Sequence, residues 1–313
     1  MLYRHIKTDI LLLKGGVFME IRVLKYFLSV ANYESISQAA KALHITQPTL
    51  SRQIMELEKE LGTTLFSRGK RSKKIVLTPD GLLLKKRAQE IVDLADKTKA
   101  QFDPKNSYTS GDVYIGGGET KAMSVVARAS LDLKKQRPNI RIHIFSGNAD
   151  DVTERLDKGI LDFGLLIGPA KIEKYDYLKL PLKDTWGLLI RKDSPLAQKD
   201  FIVPNDLKSQ QLLMSRQELF RGKIADWFGD DIDSIKISAT YNLIYNASIM
   251  VQEGMGCALC LDGLVNTAGN SSLCFRPFKP ILQSSIYIVW KKHQVFSKPA
   301  EEFLEAIKKQ ISV

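Results

Sequence analysis

Apolar positions over residues 36–61, ISQAAKALHITQPTLSRQIMELEKEL, fall into two helical registers broken at one point. Ala39, Ala40 and Leu43 recur at helical spacing in the first; Leu50, Ile54, Leu57 and Leu61 recur at i, i+4, i+7 and i+11 in the second. His44-Ile45-Thr46 between them leaves room only for a turn, and Thr46 or Gln47 followed by Pro48 supplies a helix start. Small alanines let the second helix cross close above the first, the arrangement that props one helix outward toward a DNA major groove. With Leu50 inward, a helical wheel turns Pro48, Thr49, Ser51 and Arg52 outward and leaves Gln47 at the tip. These side chains can bond base edges and phosphates. An ordinary αα-hairpin in a helical core would show the same periodicity, so the neighbouring pattern has to decide.

That pattern continues with SRGKRSKKIVL at 67–77, a Gly-containing basic loop leading into a short β-branched strand, which reads as a hairpin wing. Arg68, Lys70, Arg71, Lys73 and Lys74 crowd it, where a phosphate backbone would run beside a helix-turn-helix. Thr78-Pro79 then starts a long helix. Along it Leu84, Ala88, Ile91, Ala95, Thr98 and Phe102 step by four and three, a heptad seam that predicts pairing with the same helix of a second subunit. The alternative is packing on the chain's own body. Residues 104–111, polar and bounded by Pro104 and Gly111, read as a hinge.

Beyond 111 the pattern alternates. Strands are predicted at 112–116, 140–145, 163–167, 185–190, 257–261 and 285–290, with helices at 121–136, 149–158, 222–228, 244–253 and 299–310. Successive βα units imply a mostly parallel sheet. In such sheets ligands sit at the carboxyl ends of strands, near helix N-termini. Gly116-Gly-Gly-Glu-Thr120 is a junction of that kind, but Lys121 stands where a dinucleotide fingerprint needs its third glycine. The glycines are instead expected to allow close backbone approach.

Charge sharpens the division. The net charge is +11 over 313 residues, and residues 19–102 hold fifteen Lys/Arg against nine Asp/Glu, while the chain from 103 onward is near balance. That asymmetry favours nucleic acid over a membrane surface or an acidic ligand. The chain is long for one domain and comfortable for a small domain plus a bilobed one. Cys257, Cys260 and Cys274 form no disulfide framework, so a reducing cytoplasm is the expected location. Cys257-Ala-Leu-Cys260 lacks a second pair to complete a zinc site and reads as a buried strand. The four histidines (His5, His44, His143 and His293) join no Ser/His/Asp set, no metal-ligand spacing occurs, and no cofactor is implied. No catalytic residues are therefore expected.

The segment 22–102 closely resembles the winged helix-turn-helix of LysR-type transcriptional regulators. The resemblance rests on Leu24, Phe27, Ala39-Ala40, Leu43, Thr46-Gln47-Pro48, Leu50-Ser51, Ile54, Leu57-Glu58, Leu61-Gly62, Leu65-Phe66, Arg68 and the run from Leu77 to Gly81 (LTPDG). The remainder is similar, less tightly, to that family's effector domain. The implied fold is multidomain. An all-α winged helix-turn-helix with a long linker helix is followed by an α/β, two-lobed domain like periplasmic binding proteins. Domains are expected at 19–77 (DNA binding), 78–103 (linker and dimerisation), 104–111 (hinge) and 112–313 (effector binding). The first lobe would take about 112–182 and 277–313, the second about 183–276.

The resemblance implies a sequence-specific regulator of transcription, not an enzyme, that senses a small-molecule effector between its lobes. Double-stranded DNA with an imperfectly palindromic operator, the effector and the protein itself (a dimer, then a dimer of dimers) are the expected partners. No stretch is long and apolar enough to span a membrane. Expected DNA contacts are Ser37, Thr46, Gln47, Pro48, Thr49, Ser51, Arg52, Arg68, Lys70, Arg71, Lys73 and Lys74. Expected effector contacts are Gly118, Glu119, Thr120, Ser146, Asn148, Gly168, Ser215, Arg216 and Asn242. Thr120 matches the hydroxyl position the family often uses to hold an effector. Glu119 departs from that pattern, because an unpaired carboxylate at the mouth repels an acidic ligand. The rival reading is a solute-binding or carrier protein without DNA readout; its support is the bilobed half. Residues 1–18 read as a non-native upstream extension, with Lys14-Gly15-Gly16 compatible with a ribosome-binding sequence ahead of a start at Met19.

Overall fold

The computed structural model describes residues 19–68, 75–102, 110–168, 172–216, 223–229, 232 and 235–311. The expectation for residues 1–18 lies outside these, as does most of the hinge. The chain divides into two compact units, residues 1–99 and 100–313.

In the first unit, α1 (Ile21–Tyr33), α2 (Ile36–Ala42) and α3 (Gln47–Leu61) pack around one core. Ala39 and Ala40 are buried at the crossing, and Leu50, Ile54 and Leu57 form the inward face of α3. Burying each of these larger side chains is worth about 1.5–3 kcal/mol. The hydroxyl of Ser35 caps α2 and that of Thr46 caps α3, with Pro48 in the first turn. The turn between them places His44 at φ 54°, a left-handed conformation that ends α2 abruptly. β1 (Phe66–Arg68) and β2 (Ile75–Leu77) pair antiparallel as the stem of the predicted wing. Glu58 of α3 anchors that stem by accepting the Leu65 and Phe66 amides at 2.7 and 3.2 Å.

α4 (Pro79–Gln101) corrects the expected seam. Leu84 and Ala88 are buried together with Val92 in the unit's own core, so this four-residue step belongs to the chain itself. Lys25 of α1 ties the same side of α4 through Asp96 at 2.6 Å. The adjacent stripe stays open: Leu83 is 61%, Ile91 37% and Leu94 42% exposed.

The second unit carries one nine-stranded mixed sheet. β3 (Ser110–Gly117) pairs parallel with β4 (Asn139–Ser146) and β5 (Phe163–Ile167), with α5 (Met123–Gln136) and α6 (Ala149–Asp157) as crossovers. The long β6 (Tyr175–Arg191) then runs out of this first lobe into the second. There β7 (Gln211–Ser215) pairs parallel with β8 (Lys236–Tyr241) and β9 (Cys257–Leu261), accompanied by α7 (Lys223–Phe228) and α8 (Ile244–Gln252). β10 (Leu273–Pro277) lies antiparallel on β6, and β11 (Gln283–Lys291) returns to pair with both β6 and β5 before α9 (Lys298–Ile311). Each lobe is thus a parallel trio, and the strands joining the lobes are antiparallel. Phe278 and Leu282 still pack in the second lobe's core, so the return falls at β11 and not at 277.

Alternation along the second-lobe strands sends Cys257 and Leu259 to one core and Ala258 and Cys260 to the other. Cys257 and Cys260 therefore lie on opposite faces of the sheet, which removes the CxxC as a redox or metal pair. Burial pushes the Cys257 thiol up to about 11 and raises Cys260 further.

Candidate functional site

The tip of α3 is free. Ser37, Thr46, Gln47, Pro48, Thr49 and Arg52 are exposed and Ser51 is half-buried, while Leu50 in their midst is fully buried. One buried leucine in the first turn is what holds the surrounding polar side chains outward. Several of the exposed groups already have partners: the Ser37 hydroxyl lies 3.2 Å from that of Ser35. The Thr46 hydroxyl accepts the Thr49 amide at 3.4 Å and lies 2.8 Å from the Thr49 hydroxyl, so it serves the cap first. Arg52 Nε donates to Glu56 Oε1 at 2.8 Å, and that carboxylate raises the guanidinium's pKa. The pair is largely exposed and screened by solvent, so it holds Arg52 only weakly against a competing phosphate. The side chain of Arg68 and residues Lys70, Arg71, Lys73 and Lys74 lie outside the described residues.

Within the second unit, a cavity of about 90 Å³ opens at the carboxyl ends of the strands. That is several times the roughly 10–15 Å³ one water needs. Gly118, Glu119 and Asn148 line it from the first lobe, and Ser215 and Asn242 from the second, as expected. Four expected residues do not. Thr120 is buried and donates to Asp184 Oδ2 at 2.5 Å, so its hydroxyl is spent on joining the β3–α5 turn to the crossing strand β6. Ser146, Gly168 and Arg216 fall outside the lining. The apolar wall that sequence reasoning missed includes Trp186, Leu243, Ile244, Cys260 and Leu261, and Tyr241 adds an aromatic face; Ile167, expected at the cleft, lines it as well. The sequence placed Trp186 and Cys260 on strands, Cys260 on a buried one, but gave no sign that both reach the cavity.

The glycines of the junction serve packing. A Cβ on Gly116 would lie 2.4 Å from Leu161 Cδ1, and one on Gly117 3.0 Å from Leu165 Cβ, whereas Gly118 has room. Asn148 spends its carbonyl oxygen on a capping box, accepting the Asp150 and Asp151 amides at 2.9 and 3.0 Å.

Glu119 is the departure with a partner. Its Oε2 accepts the Ile244 amide at 2.5 Å, at the first turn of α8 in the opposite lobe. α8 begins after Leu243, which has no capping side chain, so Glu119 supplies from the first lobe the acceptor that the helix lacks. Lys121, two residues on, reaches Asp262 of the second lobe at 2.6 Å. Burial holds the Asp184 carboxyl above the usual carboxylate range despite the Thr120 hydroxyl and nearby Lys121. Among the described residues no group of three or more His, Cys, Asp or Glu could hold a metal, and no helix is long and apolar enough to cross a membrane.

A helix-turn-helix with an open recognition tip and a two-lobed domain with a lined cleft define a DNA-binding regulator carrying its own sensing domain. Residues 21–82 match the bacterial regulatory helix-turn-helix protein description of the lysR family, and residues 106–312 match the LysR substrate binding domain. The chain belongs to the LysR family of transcription regulators. It is 27% identical to the Hca operon transcriptional activator HcaR of Escherichia coli K12 over 300 residues, spanning 94% of this chain and 99% of HcaR. It is 30% identical to a hydrogen peroxide-inducible genes activator of Dickeya chrysanthemi over 197 residues, 63% of each chain. The crystal structure of CbnR, a LysR family transcriptional regulator, matches with a TM-score of 0.72 at 17% identity, covering 94% of this chain and 99% of CbnR. CbnR complexed with its target DNA gives 0.70 at 18%, covering 93% and 100%. These relatives are transcription regulators.

Proposed function

We propose that the exposed tip of α3 reads an operator in the major groove, with Gln47, Thr49 and Ser51 meeting base edges and Arg52 a phosphate. The observation that carries this is the run of exposed residues 46–49 ahead of a fully buried Leu50. Ser37 at the start of α2, the backbone around Thr46 and Pro48, Arg68 and the basic wing loop position the protein on the phosphates. The open stripe of Leu83, Ile91 and Leu94 on α4 pairs with a second copy, which presents two recognition helices to an imperfectly palindromic site. Dimers associate further into dimers of dimers. A small-molecule effector in the cavity shifts the balance of lobe arrangements and so alters promoter occupancy. The protein works in the cytoplasm, where its DNA is, and catalyses no reaction. The rival solute-carrier reading finds no use for an open recognition helix.

The test is a salt titration of the full-length chain on native and scrambled operator DNA. Arg52→Ala should weaken binding to every sequence alike and lower the salt slope by about 0.9. Gln47→Ala should instead relax preference at one base pair by about 1–3 kcal/mol. Equal affinity of the unaltered protein for native and scrambled sites would sink the readout.

A further inference from the structure

The cavity's lining has one sign of charge. Among the described residues around it, Glu119 is the one charged side chain; the remainder are apolar, amide, hydroxyl or thiol. The nearby Lys121 is committed to Asp262 at 2.6 Å, and its side chain lies across Gly263, whose φ of 72° leaves no easy place for another residue. The polar feature that would most attract an anion is the first turn of α8, with its uncapped amides and the positive end of the helix. That place is already taken: Glu119 Oε2 accepts the Ile244 amide at 2.5 Å. Three consecutive residues therefore fasten one turn of the first lobe in three directions. Glu119 goes to α8, Thr120 to Asp184 on β6, and Lys121 to Asp262.

We propose that Glu119 is a built-in occupant of the anion seat at the start of α8, so that the effector is a neutral or cationic small molecule and not a carboxylate or phosphate. This rests on the cavity being the effector site. An incoming anion would have to displace a tethered carboxylate and leave it beside its own charge in a cleft that holds no cationic side chain among the described lining residues. A ligand with an ammonium or several N–H or O–H donors can instead hydrogen-bond the free edge of Glu119 and use the Trp186 and Tyr241 faces for its apolar body. The tethered carboxylate also gives the cleft a bond between lobes before any ligand arrives.

Refilling the seat tests the proposal. In Glu119→Ala the α8 amides lose their acceptor, and sodium acetate at tens of millimolar should restore thermal stability saturably, where sodium chloride at equal ionic strength does not. Acetate should bind the variant at least roughly tenfold more tightly than the unaltered full-length chain. The cavity tryptophan, Trp186, provides an independent fluorescence signal. Equal acetate response of the two proteins, or none in either, overturns the proposal. Should the alanine variant fail to fold, Glu119→Gln keeps an acceptor without the charge, and amides over 243–246 should exchange several-fold faster than in the unaltered chain; unchanged exchange also overturns it. No DNA enters these measurements. A failed operator titration therefore leaves them intact, and an acetate-silent seat leaves the regulator reading in place.

Discussion

Replacing Gly81 by alanine should destabilise the first unit, against the sign that helix propensity gives. Gly81 sits in the first turn of α4, where Gly→Ala ordinarily gains about 0.5–1 kcal/mol. Here a Cβ would lie 2.1 Å from the Leu65 carbonyl oxygen and 3.0 Å from Leu77 Cδ2. An ordinary carbon–oxygen contact needs about 3.3 Å, so α4 and the strand must part by about 1 Å. The junction cannot yield that cheaply. The Thr78 amide donates to Leu65 O at 3.0 Å, the Thr78 hydroxyl to Thr64 O at 2.6 Å, and the Gly81 amide to the Thr78 hydroxyl at 3.0 Å. Losing two such bonds costs about 1 kcal/mol each, and overpacking about 1–3 kcal/mol more, against the small propensity gain. The net is about 2–4 kcal/mol of destabilisation. Hydrogen exchange by mass spectrometry on the full-length chain reads it locally: peptides covering 64–68 and 79–90 should exchange faster, while those of the α/β unit do not change. Slower or unchanged exchange over those peptides would refute the steric argument.

Two further outcomes follow from the same geometry. Asp184→Asn should be at least as stable as the unaltered chain at neutral pH, because the folded carboxyl titrates above its ordinary value. Its stabilising contribution is complete below the usual carboxylate range and is lost as pH rises through the raised value, so the variant's advantage should vanish on acidification. Paired melting curves across pH check this, and an unaltered chain that is favoured at neutral pH and loses the lead in acid would contradict it. Ile91→Asp combined with Leu94→Asp, both at exposed positions, should give a folded monomer by sedimentation, whereas a persisting dimer would place the subunit contact elsewhere.

The sequence was most legible where local chemistry and tertiary need coincide. The Leu50, Ile54 and Leu57 face, the Thr46 cap and the buried run of β5 all follow from spacing alone. β7, β8, β10 and the first half of β6 were not foreseen. β8 is a mostly exposed edge strand without clean alternation, and residues 175–185 of β6 mix charged and apolar side chains around Pro181 because both faces change environment along its length. On α4 two neighbouring apolar stripes, Leu84-Ala88-Val92 and Leu83-Ile91-Leu94, differ by about one residue's rotation, and only packing shows which is inward. In the cleft, Glu119 read as a repellent carboxylate because its partner is a backbone amide 125 residues away, and an amide leaves no mark in a sequence. Thr120 read as a ligand hydroxyl for the same reason, its acceptor being Asp184 on a strand whose crossing role was not visible.

The two sites also differ in how binding residues relate to stability. At the α3 tip the fold depends on Leu50, Ile54 and Leu57, and the groups proposed to read DNA make local contacts such as the Thr46 cap and the Arg52–Glu56 pair. Removing Gln47 or Arg52 therefore costs the unit little, and operator preference can be altered there without endangering the helix. In the cleft the opposite holds. Glu119 lines the cavity and at the same time caps α8, while Thr120 and Lys121 beside it fasten two further elements. A substitution that changes what the cleft accepts thus also changes how firmly the lobes are joined without ligand. Specificity and the resting balance of lobe arrangements are coupled through the same three residues, so altered effector choice at Glu119 should carry altered basal regulation with it.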